Sequence, residues 1–197
     1  MSGASLSSSS GSSTFRVLYI CTGNVCRSAA AQQLLRHRVT PADALEVVSA
    51  GTHALEGYGV DAPTAIALEE IGVPAAGHEG LWLTDAMIRE ADLVLTATTE
   101  HRDRVLRTVP ATMRRAFTMR EFARLGEDVE GAATHDQRAD VVRRVAGQRG
   151  QIEAAAPGAD EIGDPFGAGV EAARAMVVQV GETVDATARL LGLASAR

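Results

Sequence analysis

Eight consecutive residues, Cys21-Thr22-Gly23-Asn24-Val25-Cys26-Arg27-Ser28, put a thiol, a guanidinium and a hydroxyl directly after the apolar run Phe15 to Ile20. A strand that ends in a cysteine, then a short loop, an arginine and a helix, builds a cup for a phosphate dianion. The backbone N–H groups of Thr22, Gly23, Asn24, Val25 and Cys26 can converge on an anion, and the following helix adds its positive end. The same field favours a thiolate at the loop mouth and makes Cys21 a candidate nucleophile. Arg27 can grip two phosphoryl oxygens with its planar fork, which a lysine cannot do. Gly23 and Asn24 tolerate the left-handed backbone that such a loop demands. Ser28 is placed to cap the helix and to donate a hydrogen bond to the Cys21 sulfur. The competing reading, a buried strand-end cysteine followed by a surface arginine, leaves Gly23, Asn24 and Ser28 unexplained. The chemistry expected is cysteine-based phosphate ester hydrolysis.

The elements that must hold this loop follow from the apolar pattern. Phe15 to Ile20, Leu45 to Ala50, Asp92 to Ala97 and Arg114 to Thr118 read as strands. Helices are expected over Ser28 to Arg38, Ala62 to Ile71, from a Thr84 cap into Glu90, over Thr99 to Val109 and over Arg120 to Leu125. Gly72-Val73-Pro74 stops the second of these and Pro110 the fourth. A long amphipathic helix closes the chain, with Val170, Ala173, Val177, Val180, Val184 and Leu191 on one stripe facing the sheet. Strands alternating with helices predict an α/β fold. It is one domain, a parallel four-stranded sheet with helices on both faces, and the phosphate-binding loop follows its first strand. Residues 1–14, rich in Ser and Gly, read as a disordered tail ahead of a domain spanning 15–197. Within that domain, about 126–159 reads as a mobile insertion with one polar helix near Gln137 to Val145.

A chain of 197 residues with 46% hydrophobic content is long enough for one domain with a sizeable core. The longest apolar runs are too short for a bilayer, so no membrane insertion is expected. Without an export signal, and with only 2 cysteines, a cytoplasmic location is expected, where thiols stay reduced. A net charge of −6 gives no footprint for nucleic acid.

The octet resembles the signature of the low-molecular-weight protein tyrosine phosphatases, C-x-G-N-x-C-R-S near the N-terminus. A second hallmark of that family, Asp-Pro followed by an aromatic, stands here as Asp164-Pro165-Phe166. The resemblance runs from about Phe15 to Leu193 and is poor between about Gly126 and Gly163. It implies that Cys21 attacks phosphorus, that Arg27 binds the phosphoryl oxygens, and that Asp164 is the general acid. It implies a supporting network of Asn24 with Ser28, Ser49 and His78, whereas His37, His53, His101 and His135 read as ordinary histidines. It also implies a reversible disulfide between Cys21 and Cys26. No cofactor and no metal are expected. Expected partners are phosphotyrosine proteins, among them a tyrosine kinase or a polysaccharide-assembly enzyme.

Four positions depart from the family pattern, one being the basic residue missing after His78 in His78-Glu79-Gly80-Leu81-Trp82. Ala29 replaces a proline after the loop. Leu55 stands where an aromatic commonly walls the cleft, and Phe166 replaces a frequent tyrosine. Trp82 reads as core or a surface patch. Protein-arginine phosphatase is the nearest alternative activity, since that branch shares Asp-Pro-Phe but carries Thr where Val25 stands. Arsenate reductase is disfavoured because no relay cysteine exists beyond Cys26. A phosphoprotein-binding module is disfavoured because it needs neither a nucleophile nor an acid.

Overall fold

The computed structural model describes residues 14–40 and 43–193. The expectation for the N-terminal tail therefore lies outside the described residues, apart from Thr14. Four strands, β1 (Phe15–Cys21), β2 (Leu45–Gly51), β3 (Leu93–Thr96) and β4 (Ala116–Thr118), form a sheet of order β2-β1-β3-β4. All three pairings are parallel. Side chains of a strand alternate between faces, so a parallel sheet covered on both sides needs apolar residues at every position. Along β1, Val17, Tyr19 and Cys21 enter the core on one face, while Leu18 and Ile20 enter a separate core on the other.

The larger core takes its helical side from α1 (Arg27–Arg36), α2 (Ala62–Glu70), α5 (Met119–Leu125), α6 (Arg138–Gly147) and α7 (Gly169–Leu190). The smaller core is closed by α3 (Asp85–Glu90) and α4 (Thr99–Thr108) through Ile88 and Val105. Thr84 caps α3 and Thr98 caps α4, each accepting a backbone N–H of the first turn. Beyond α2 the chain turns at Gly72, whose φ of +78° suits glycine. The N–H of Val73 then reaches back to the Leu68 carbonyl.

Two expectations need correction. The closing helix α7 packs chiefly on α1, α2 and α5 rather than on the strands. At about 33 Å its length exceeds that of the short strands, so most of its stripe must find helices. The stripe itself is Ala173, Met176, Val177, Val180, Val184, Ala188 and Leu190, completed by Thr183 and Thr187, whose hydroxyls bond back to their own helix. Val170 is only half-buried.

The helix expected as polar within 126–159 is amphipathic, with Val141, Val142 and Val145 buried. Two arginines tie this segment down. Arg138, 2% exposed, donates to the carbonyls of Leu191 and Asp43. Arg149 donates to Glu121 and to the carbonyls of Met113 and Ala116, and its guanidinium lies 4.2 Å from the Phe117 ring centroid. Both arginines thus spend their donors on backbone carbonyls of other elements.

Candidate active site

Cys21 ends β1 and Arg27 begins α1, so the loop between them stands at the carboxyl end of the first strand, where open α/β sheets bind ligands. Cys21, Thr22, Gly23, Val25, Cys26 and Arg27 line a cavity of about 200 Å³. His53, Leu55, Asp164 and Phe166 complete its wall. The free N–H groups of the first turn of α1 and its positive dipole end begin at that wall.

The loop is held from behind by Asn24. Its φ is +57°, and its side chain is fully buried. Its amide donates to Ser28 Oγ at 2.9 Å and to Ser49 Oγ at 2.8 Å, while its Oδ1 accepts the Leu81 N–H at 2.9 Å. These bonds supply a local reason for asparagine in the left-handed region. Gly23 does not share that conformation, contrary to expectation. A side chain there would instead point at Val25 and Leu55, so the glycine keeps the cavity open.

Ser28 Oγ lies 2.9 Å from Cys21 Sγ. Because that oxygen already accepts from Asn24, its hydrogen is available to the sulfur. Ser28 is not the helix cap. That position belongs to Cys26, and Ser28 sits inside the first turn.

His78 donates through Nε2 to the Asn24 carbonyl at 2.6 Å, and its Nδ1 is 3.0 Å from Gln32 Oε1. Burial lowers its pKa despite the bond to Asn24. Gln32 Oε1 accepts from Ser49 Oγ at 2.7 Å. The structure thus brings Asn24, Ser28, Ser49 and His78 together, with Gln32 as a central member that sequence reasoning missed. Nothing in the sequence separates Gln32 from a surface helix glutamine.

Arg27 is 4% exposed and reaches the cavity from its first helical turn. Its Nη2 donates to Asp164 Oδ2 at 2.7 Å and to Thr22 Oγ1 at 3.4 Å, and its Nη1 to the Ile162 carbonyl at 3.2 Å. Its Nε is buried without a protein partner among the described residues, a donor left for an anion. Asp164 is far more open than Arg27, with its side chain 49% exposed at the cavity lip. Its Oδ1 accepts the Phe166 N–H at 3.2 Å, the bond that shapes the Asp-Pro-Phe turn. The carboxylate is therefore anchored yet wet, next to the strongest positive charge of the site.

Two histidines set aside as ordinary also belong here. His53 lines the cavity, with its ring edge-on to the half-exposed Trp82. His101 bonds Thr22 Oγ1 through Nε2 at 3.1 Å and Thr98 Oγ1 through Nδ1 at 2.6 Å. Burial, reinforced by Arg27, lowers its pKa to about 4. Gly51 is a further requirement, because a Cβ there would fall 2.5 Å from the Thr22 carbonyl oxygen. Cys21 and Cys26 are both free thiols. Burial and the neighbouring Asp61 carboxylate push the Cys26 pKa up and keep that thiol protonated.

Over 108 residues the chain is 36% identical to a protein-arginine-phosphatase of Geobacillus stearothermophilus, covering 55% of this chain and 71% of that one. Over 94 residues it is 39% identical to the low molecular weight protein-tyrosine-phosphatase Etp of Escherichia coli K12, covering 48% of this chain and 62% of the relative. Matched sequence thus spans roughly two thirds of these relatives. In structure it resembles the YwlE arginine phosphatase from Geobacillus stearothermophilus with a TM-score of 0.66 at 28% identity, covering 88% of this chain and 90% of that one. Residues 16–136 match the family model described as low molecular weight phosphotyrosine protein phosphatase. With the octet, the four-stranded sheet and that match in agreement, the chain belongs to the low molecular weight phosphotyrosine protein phosphatase family.

Proposed function

We propose that this protein hydrolyses phosphotyrosine in proteins through a phosphocysteine intermediate. The observation that carries the reading is one cavity shared by the Cys21 sulfur, the buried Arg27 guanidinium and the Asp164 carboxylate. Cys21 Sγ attacks phosphorus in line, and the electron pair of the P–O bond leaves with the tyrosyl oxygen. Asp164, protonated, gives its proton to that oxygen as the bond breaks. Arg27 and the loop N–H groups hold the equatorial oxygens and match the transition state better than the ground state. In the second step ionised Asp164 takes a proton from water as its oxygen attacks the phosphocysteine, and Cys21 departs as thiolate. Ser28 supports the thiolate at both ends of the cycle. Two reduced thiols at the site suit the reducing cytosol.

The aryl preference rests on the walls. Val25, Leu55 and Phe166 present apolar surface suited to a flat ring, and among the described residues Asp164 is the only carboxylate lining the cavity. Phosphoarginine is the second reading, favoured by the arginine phosphatases among the similar proteins and by Phe166. Its guanidinium would meet only Asp164, already shared with Arg27. Turnover of phosphotyrosine, phosphoarginine and phosphoserine peptides by the purified protein tests the choice. The wild type should favour phosphotyrosine, and Val25→Thr, which keeps the branched shape but adds a wall hydroxyl, should move the ratio toward phosphoarginine. A wild type that prefers phosphoarginine would reverse it.

A further inference from the structure

The junction between β3 and α4, residues 97–101, holds both halves of the site. The Ala97 carbonyl accepts the Ile162 N–H at 2.9 Å, two residues before the proposed acid. The Thr99 hydroxyl and N–H both bond Glu161. His101 reaches across to the loop and holds the Thr22 hydroxyl, while Thr98 holds the other side of its ring. The Thr22 oxygen in turn accepts from Arg27 Nη2. A continuous chain therefore runs Thr98, His101, Thr22, Arg27.

Its importance follows from what Asp164 must do. In the resting geometry the tightest partner of Arg27 is Asp164, at 2.7 Å. When Asp164 is protonated and facing the leaving oxygen, that bond is given up. Among the described residues, the Ile162 carbonyl and the Thr22 hydroxyl then remain to orient the guanidinium. An unsupported threonine hydroxyl would be free to rotate toward solvent or the bound oxyanion.

We propose that His101 is a positioning residue that fixes the Thr22 hydroxyl so that Thr22 orients Arg27 during catalysis. The inference rests on the cavity being the phosphate site. In either neutral tautomer the ring locks Thr22 Oγ1 and leaves a lone pair for Arg27 Nη2. The groups acting electrostatically on the ring are Arg27 from α1, Asp164 and Glu161 from the acid-bearing loop, and Glu100 from its own helix. Burial and Arg27 outweigh the three carboxylates, so the imidazole is neutral at working pH. It therefore carries no imidazolium proton to give to a leaving group.

The test compares His101→Leu, His101→Gln, Thr22→Val and the double variant His101→Leu/Thr22→Val in the full chain. Readouts are kcat and KM for an aryl phosphate, competitive inhibition by inorganic phosphate, and the pH–rate profile. Losing a hydrogen bond that orients a charged group should cost about tenfold in kcat/KM and weaken phosphate inhibition similarly. His101→Gln, whose amide can still engage the hydroxyl, should stay within about threefold of wild type. Thr22→Val should lose as much as His101→Leu, and the double variant no more than either, because the two act through one contact. Should His101→Leu fail to fold, Thr22→Val, His101→Gln and their combination carry the same comparison. Unchanged phosphate inhibition in His101→Leu and Thr22→Val, or additive losses, would overturn the proposal. So would a pH–rate profile that loses a limb in His101→Gln, since that marks an acid–base role. A wild type that binds no phosphate would instead sink the reading of the cavity.

Discussion

Gly51→Ala should disable the site without replacing any residue that lines the cavity. Gly51 ends β2 beside the loop, where its N–H donates to Leu81 O at 2.8 Å and its carbonyl accepts from Leu83 N at 2.9 Å. An added Cβ would meet the Thr22 carbonyl oxygen at 2.5 Å, Ala54 Cα at 3.0 Å and Ala54 Cβ at 3.1 Å. Those neighbours are largely backbone, so no flexible side-chain tip can yield. Relief needs a movement of about 0.5–1 Å, and the Thr22 carbonyl is fixed in turn by the His53 N–H at 2.9 Å. Displacing Thr22 moves the residue after the nucleophile and the hydroxyl that meets Arg27. A shift approaching 1 Å in a catalytic group costs about a hundredfold in rate. Overpacking of this kind costs about 1–3 kcal/mol in stability, or a melting temperature lower by about 2–12 °C for a domain of this size. Steady-state kinetics on an aryl phosphate with a melting curve on the same sample check both numbers. A folded variant with kcat/KM within twofold of wild type would refute the close approach as a constraint on the loop.

Asp164→Asn should slow esters with poor leaving groups far more than those with good ones, because only a poor leaving oxygen needs a proton in the transition state; a leaving-group series reads this directly. Stability should fall as pH drops from about 6.5 toward 4, because His101, with its pKa lowered to about 4, and His78, also lowered, resist the protonation that the unfolded chain accepts. Their contribution is complete above the unfolded histidine pKa and is lost as pH falls through the folded values. Denaturant titrations across that range should therefore show a shallower slope in His101→Gln than in wild type.

The loop was legible because its parts are neighbours in sequence. Cys21, Asn24, Arg27 and Ser28 span a strand end, a loop and one helical turn, and their bonds to one another need little of the remaining fold. Asp164 was legible only beside the loop, since Asp-Pro alone is a common turn. Gln32 and His101 were not. Each sits at an ordinary helical position, and what separates it from a solvated residue is the tertiary neighbour it meets, Ser49 and His78 for one, Thr22 for the other. Gly51 was visible as a glycine at a strand end, but the carbonyl that excludes its Cβ belongs to another strand's loop. Arg138 and Arg149 were not singled out for a related reason, because the backbone carbonyls their donors reach belong to distant parts of the chain. The sheet itself was read with boundaries close to those observed, because four buried strands need continuous apolar runs. The packing of α7 on other helices lay beyond any reading of its stripe alone.

The central claim is that phosphate passes through the Cys21 sulfur. Rapid acid quenching of Asp164→Asn during turnover of an activated aryl phosphate should trap the intermediate, since loss of the carboxylate slows its hydrolysis more than its formation. Mass spectrometry of the digested protein should then find one phosphate on the peptide carrying Cys21, and none in Cys21→Ala/Asp164→Asn, which offers no phosphoryl acceptor at that position and should no longer turn over. Phosphate found on another residue, or full turnover by the Cys21→Ser variant, would contradict the account.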